Sequence, residues 1–226
     1  MDAHQLYIEA EAAREKDNHT EALGLIEQAI VAYQKEENYE GICQSLICRA
    51  LTYHHLFLLT ADKVFAILAK NDAETSIEIA QEYKITNRLA PSYLMLGKIY
   101  IDVKDYQKAV DNYQKALKNY SGTNAEKGDY KYHLGEAMHK NGNKDEGLTM
   151  ILEGLNDIQK NTSEVDPFLA HVWESGCLIR LVELLKDSDP EKARSYLKKV
   201  RDIVEADEKL VIRKRQYEEL SKEFKT

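Results

Sequence analysis

The chain has 226 residues, 43% of them hydrophobic, with 31 Lys and Arg against 39 Asp and Glu for a formal charge of −8. That apolar content supplies a core for one or two globular domains or one array of helical repeats, and excludes a disordered chain. The acidic balance argues against nucleic acid or an anionic membrane as the main partner, because both reward excess positive charge.

Only three prolines and ten glycines interrupt the chain, and its apolar residues recur at helical spacing. The start, Met1-Asp2-Ala3-His4-Gln5, is polar and leads straight into that pattern, so no secretory signal is expected. In chain order the pattern predicts helices in pairs: 3–16 with 19–35, 38–59 with 62–84, and 88–103 with 106–120. Next come 124–141 with 144–160 and 167–186 with 190–204, and a last helix covers about 206–224. Helix-start chemistry supports these divisions. Asn18, Thr123 and Asn143 each stand three residues before a glutamate, the spacing of a capping box. Asp166-Pro167 and Asp189-Pro190 place a capping aspartate before a proline at the first helical position, where no N–H is needed.

The densest pattern runs from Ala90 to Tyr120. It holds Tyr93, Leu96-Gly97 and Tyr100, then Tyr106, Ala109, Tyr113 and Ala116. This spacing resembles the tetratricopeptide repeat (TPR), in which an aromatic, a Leu-Gly pair and a tyrosine precede an alanine and a second aromatic. A second copy surrounds Leu134-Gly135, Met138, Gly147, Ile151 and Gly154. Weaker copies place Ala22, Ala73 and Ala193 at the matching small position, with gaps of 51, 36, 38 and 46 residues along Ala22, Ala73, Ala109, Gly147 and Ala193. These gaps exceed the usual 34-residue unit, so lengthened helices or extended turns are expected. The resemblance covers residues 3–204. It implies an all-α, right-handed solenoid of about five helix pairs, with 205–226 as a capping or docking helix.

No catalytic motif is present: the chain has no Gly-rich phosphate loop, HExxH, CxxC or GxSxG. Cys43, Cys48 and Cys177 are odd in number and lack framework spacing, which predicts buried thiols in a reduced, cytoplasmic protein. Glu136-Ala137-Met138-His139 is half of a carboxylate-bridged metal motif, but the chain has no second copy to complete it. No cofactor or metal is therefore expected, and no enzyme activity.

In proteins of this family the first helix of each pair lines a concave groove. Carried onto this chain, that arrangement implies Tyr7, Glu11 and Arg14 from the first pair and Ile47, Leu51 and His54 from the second. Leu94, Lys98 and Ile101 follow from the third, and Tyr132, Glu136 and His139 from the fourth. In the fifth pair either Trp173 or Cys177 takes the aromatic position, and Leu178 and Val182 face inward in both registers. Such a wall suits a protein segment, either an amphipathic helix or an extended peptide. Tyr7 and Glu11 would repel the acidic tails that some co-chaperones of the family hold. A peptide-sensing regulatory protein of a signalling pathway is the alternative role. The end helix carries Leu210, Tyr217, Leu220 and Phe224 on one stripe, flanked by Arg213, Lys214 and Arg215. A cap explains that stripe, and self-association through 206–224 is its second reading.

Overall fold

Most of the helices begin where a polar side chain takes over backbone N–H groups that the helix itself leaves free. In the computed structural model, which describes residues 1–224, Asp2, Asn38, Asp62 and Asp105 cap four of the starts, and Asn18, Thr123, Asp166 and Asp189 cap four more. Both Asp-Pro steps behave as the sequence predicts. Two expectations need correction. Asn143 makes no capping bond through its side chain. The last helix starts at Val211 because Asp207 stops its predecessor, accepting from the Lys209 N–H while lying 2.9 Å from His171.

Eleven α-helices and no strand occur among the described residues. No helix there is long and apolar enough to cross a membrane. They group into two compact units, 1–121 and 122–226, so the break falls after Ser121, whereas the sequence reading draws a division at 204/205.

The first unit contains α1 (Ala3–Glu15), α2 (His19–Lys35), α3 (Tyr39–Thr60), α4 (Lys63–Glu82), α5 (Leu89–Asp102) and α6 (Tyr106–Asn119). Each helix packs on the next, and the first helices also touch one another, α1 on α3 and α3 on α5. A repeated turn sets these angles. Asp17, Glu37, Lys84 and Lys104 adopt left-handed conformations with φ between 54° and 62°. The next residue's N–H then reaches back five positions to a carbonyl: Asn18 to Ala13, Asn38 to Tyr33, Ile85 to Ala80 and Asp105 to Tyr100, at 2.8–2.9 Å. This bond satisfies carbonyls at the helix end and reverses the chain in three residues.

Between helices the fit depends on small residues. Ala22, Ala73 and Ala109 are 0–1% exposed. Gly97 lies under the ring of Tyr113, and a Cβ on Gly41 would stand 2.5 Å from the ring of Tyr33. Where α3, α4 and α5 converge, the Ser76 and Ser92 hydroxyls lie 2.8 Å apart beside the buried Cys43. Arg49 on α3 fastens the outside, donating two 2.8 Å hydrogen bonds to Asp72 on α4 and one to Glu27 on α2.

The second unit contains α7 (Asn124–Lys140), α8 (Lys144–Lys160), α9 (Pro167–Leu185), α10 (Pro190–Ala206) and α11 (Val211–Lys222). Here α7 and α8 meet backbone to backbone. A Cβ on Gly154 would lie 2.6 Å from the Gly128 carbonyl oxygen, and one on Gly147 would lie 2.6 Å from that of Gly135. The core runs from Tyr132, Ile151 and Ile158 through Cys177, Leu178, Leu181 and Val182 to Val200. Leu210 and Leu220 join it, with Tyr217 and Phe224 packed against it, so α11 covers the apolar end of this unit. Arg213 donates to the Val172 carbonyl at 3.2 Å and fixes α11 on α9. Residues 225 and 226 of the expected terminal segment lie outside the described residues.

These contacts order a series of alanine substitutions. Gly24 has open space where a Cβ would stand, so Gly24→Ala should stabilise by about 0.5–1 kcal/mol through helix propensity. Gly97→Ala should lose about 1–3 kcal/mol, because the 1%-exposed Tyr113 ring has no room to swing away. Gly147→Ala should lose at least as much, since it pushes on backbone. Urea melts of the three variants give the order directly; equal midpoints would contradict this account of the crossings.

Candidate partner-binding face

Of the residues expected to line a groove, those in the first unit share the helices that stand side by side, α1, α3 and α5. Pairwise contacts hold these helices together. Arg14 donates to the Cys48 sulfur at 3.1 Å and to Glu15 at 2.9 Å. Arg88, ahead of α5, donates to Glu40 at 2.8 Å, and His54 Nδ1 sits 2.6 Å from Asp102 Oδ2. The buried Tyr7 hydroxyl meets Glu11 and Gln44, and its pKa is pushed up, first by burial and then by the Glu11 charge.

The structure therefore divides the expected residues. Tyr7, Arg14 and His54 are buried, because each uses its polar end to hold the neighbouring first helix. Glu11, Ile47, Leu51, Leu94, Lys98 and Ile101 are half-buried and keep surface for a partner. They form a discontinuous strip across three helices, apolar at α3 and mixed at α5. The chemistry of this strip is contact. Its aliphatic groups can receive apolar side chains.

In the second unit the expected residues lie mostly inside. Tyr132 is 2% exposed, and Leu178 and Val182 are 0% exposed in the core, closed to a partner. Cys177 is fully buried in the core, and Trp173 is half-buried and packs at its margin. Glu136, at 2% exposure, is a structural anion. Lys140 donates to it at 2.8 Å, Arg180 Nε lies 3.2 Å away, and His133 Nδ1 lies 3.9 Å away. His139 is half-buried, with its pKa lowered first by burial and then by Lys144 and Lys140. Glu136 and His139 are thus in opposite environments, one enclosed by cations and the other partly open. Among the described residues no group of three or more His, Cys, Asp or Glu side chains is placed to hold a metal.

The three cysteines are free and buried. Burial pushes the Cys48 thiol up to about 11, against the pull of Arg14. Burial also raises Cys43 and Cys177.

A second set of surface residues escapes the sequence reading. Leu58, Leu59, Val64, Ile67 and Leu68, at the far ends of α3 and α4, are all substantially exposed. The signal for them was the unbroken run Leu56-Phe57-Leu58-Leu59, apolar on every side of a helix, together with the 51-residue gap between Ala22 and Ala73.

Residues 90–121, on α5 and α6, match a family model described as a tetratricopeptide repeat. Among solved structures the chain is similar to the crystal structure of BtubC (BKLC) from P. vanneervenii, with a TM-score of 0.64 and 17% sequence identity. That likeness covers 90% of this chain and 80% of the other, and shows the fold. No curated protein matches the sequence significantly.

Two outcomes test this description. Glu136→Gln should destabilise the chain by about 2–3 kcal/mol, as removal of a charged hydrogen-bond acceptor from buried cations does, in a denaturant titration. A neutral result would place Glu136 on an open surface. All three cysteines should resist iodoacetamide at pH 8 in the folded chain and react once it is unfolded in guanidinium. Rapid labelling of native Cys48 would contradict its burial.

Proposed function

We propose that this TPR-type repeat protein is a non-catalytic adaptor that binds a segment of another protein along the first-helix face of its first unit. The observation that carries this reading is the arrangement of α1, α3 and α5. Three first helices are cross-linked side by side at Arg14–Cys48, Glu40–Arg88 and His54–Asp102. They leave Ile47, Leu51, Leu94 and Ile101 half-exposed on the same helices as Glu11 and Lys98. A face held this way is ordered before its ligand arrives, so most of the conformational entropy lost on binding falls on the ligand. Apolar residues supply affinity on this reading.

The partner on this reading is protein, with neither nucleic acid nor membrane as the primary target, and the acidic chain favours this. A reduced, cytoplasmic setting agrees with three buried free thiols.

The experiment is a selection of displayed peptides on the purified chain, repeated with a Leu94→Glu/Lys98→Glu variant whose circular dichroism matches wild type. Peptides enriched on wild type should lose at least about tenfold in affinity on the variant. Enriched peptides that bind both proteins equally would remove the first-helix face from the proposal.

A further inference from the structure

The longest helix pair of the first unit overhangs its neighbour. α3 has 22 residues and α4 has 20, against 14 in each of α5 and α6. At 1.5 Å per residue, α3 is about 12 Å longer than α5. The two helices are level at their starts, where Glu40 meets Arg88, and level again where His54 meets Asp102, the last residue of α5. The excess length therefore extends beyond the end of α5, as the hairpin from His55 to about Leu68.

This hairpin is more apolar than an exposed tip requires. Leu58 and Leu59 are 47% exposed, Val64 45%, Ile67 58% and Leu68 37%. Val103, in the turn after α5, adds another 50%. Solitary exposed hydrophobes are ordinary, but a cluster of this kind marks an interaction surface. Between the overhang and the end of α5 lies a cleft of about 500 Å³. Its apolar lining includes Phe57, Ile67, Ile99, Tyr100 and Val103, and its cationic lining is Lys63, Lys70 and Lys104.

The charges select the occupant. Among the described residues Asp102 is the single carboxylate lining the cleft, and it lies 2.6 Å from His54. Lys70 forms an exposed pair with Glu74 at 3.3 Å, while neither Lys63 nor Lys104 has an ion-pair partner among the described residues. The nearby carboxylate of Asp62 caps α4 through the Val64 N–H, and Asp105 pairs with Lys108 at 2.7 Å. An apolar trough edged by three lysines, on a chain of net charge −8, is complementary to an acidic ligand with an apolar face. A concave site of this volume takes anchoring side chains from one segment.

We propose that the cleft between the α3–α4 overhang and the end of α5 is a docking site for an acidic amphipathic helix of a partner protein. It is lined by Phe57 near the end of α3, by α4 and by the end of α5, and shares no residue with the strip assigned above. Leucine-like side chains of the partner enter between Ile67 and Val103, and its flanking carboxylates meet Lys63, Lys70 and Lys104.

Fluorescence anisotropy with a synthetic peptide tests this: leucine on one helical face, glutamate on the other, and a twin with lysine in place of every glutamate. Wild type should bind the glutamate peptide at least about tenfold more tightly than its twin. Ile67→Glu should weaken that binding by at least the same factor. Lys63→Glu/Lys104→Glu should reverse the preference between the two peptides. Both changes fall on exposed positions, and unchanged circular dichroism confirms that the variants fold. Equal binding of the twins, no binding of either, or indifference to the substitutions overturns the proposal. So does a dimer in sedimentation that Ile67→Glu dissociates, which would assign the patch to a second copy of the chain. Capture of the chain by anionic vesicles that Ile67→Glu abolishes, without peptide binding, overturns it in favour of a membrane.

Discussion

The approach distance between antiparallel helices is the constraint from which the other features follow. Every pair has a residue no larger than alanine at its crossing: Ala22, Ala73, Ala109, Gly147 and Ala193, all buried. In α7 and α8 even a methyl group is too large, because the glycine carbonyls of one helix stand where Cβ atoms of the other would go. Close crossing brings the larger side chains beside it, such as Tyr113 over Gly97 and Ile151 against Gly135, into full van der Waals contact. The left-handed turns complete the device by ending one helix and aiming the next with no spare chain.

Close pairing has a consequence for the surface. Once each pair is narrow, the first helices of successive pairs are near enough to touch, and the residues between them become structural. Arg14, His54 and Tyr7 in the first unit illustrate this, being charged or polar groups absorbed into contacts between α1, α3 and α5. Glu136 shows the same economy in the second unit, where it gathers Lys140 and Arg180. What is left for a partner is the half-buried remainder of those helices and the hairpin that outgrows its neighbours. We propose both as contact surfaces.

Helix existence, pairing and most boundaries were legible in the sequence because capping residues, Asp-Pro steps and apolar periodicity agreed with one another. His19–Lys35 and Lys144–Lys160 were located to the residue. The terminal helix was placed too early, since nothing in its periodicity announces that Asp207 is held by His171 and the Lys209 N–H. Site residues were harder. Periodicity tells which side of a helix is apolar, but not whether that side faces solvent or another helix. Leu178 and Val182 fit an inward-facing register and are in fact core, as is Tyr132. The overhang was visible only as an irregular gap between repeats, because its exposure depends on α5 ending at Asp102 while α3 continues to Thr60.

On the proposed reading, a partner segment binds on the first-helix face of α1, α3 and α5, with no chemistry done on that segment. Hydrogen–deuterium exchange of the whole chain, with and without a tight-binding peptide from the display selection, tests it most directly. The expected result is new protection confined to α1, α3 and α5, with the peptide recovered at unchanged mass. Protection confined to the second unit, or a peptide that returns cleaved or modified, would contradict it.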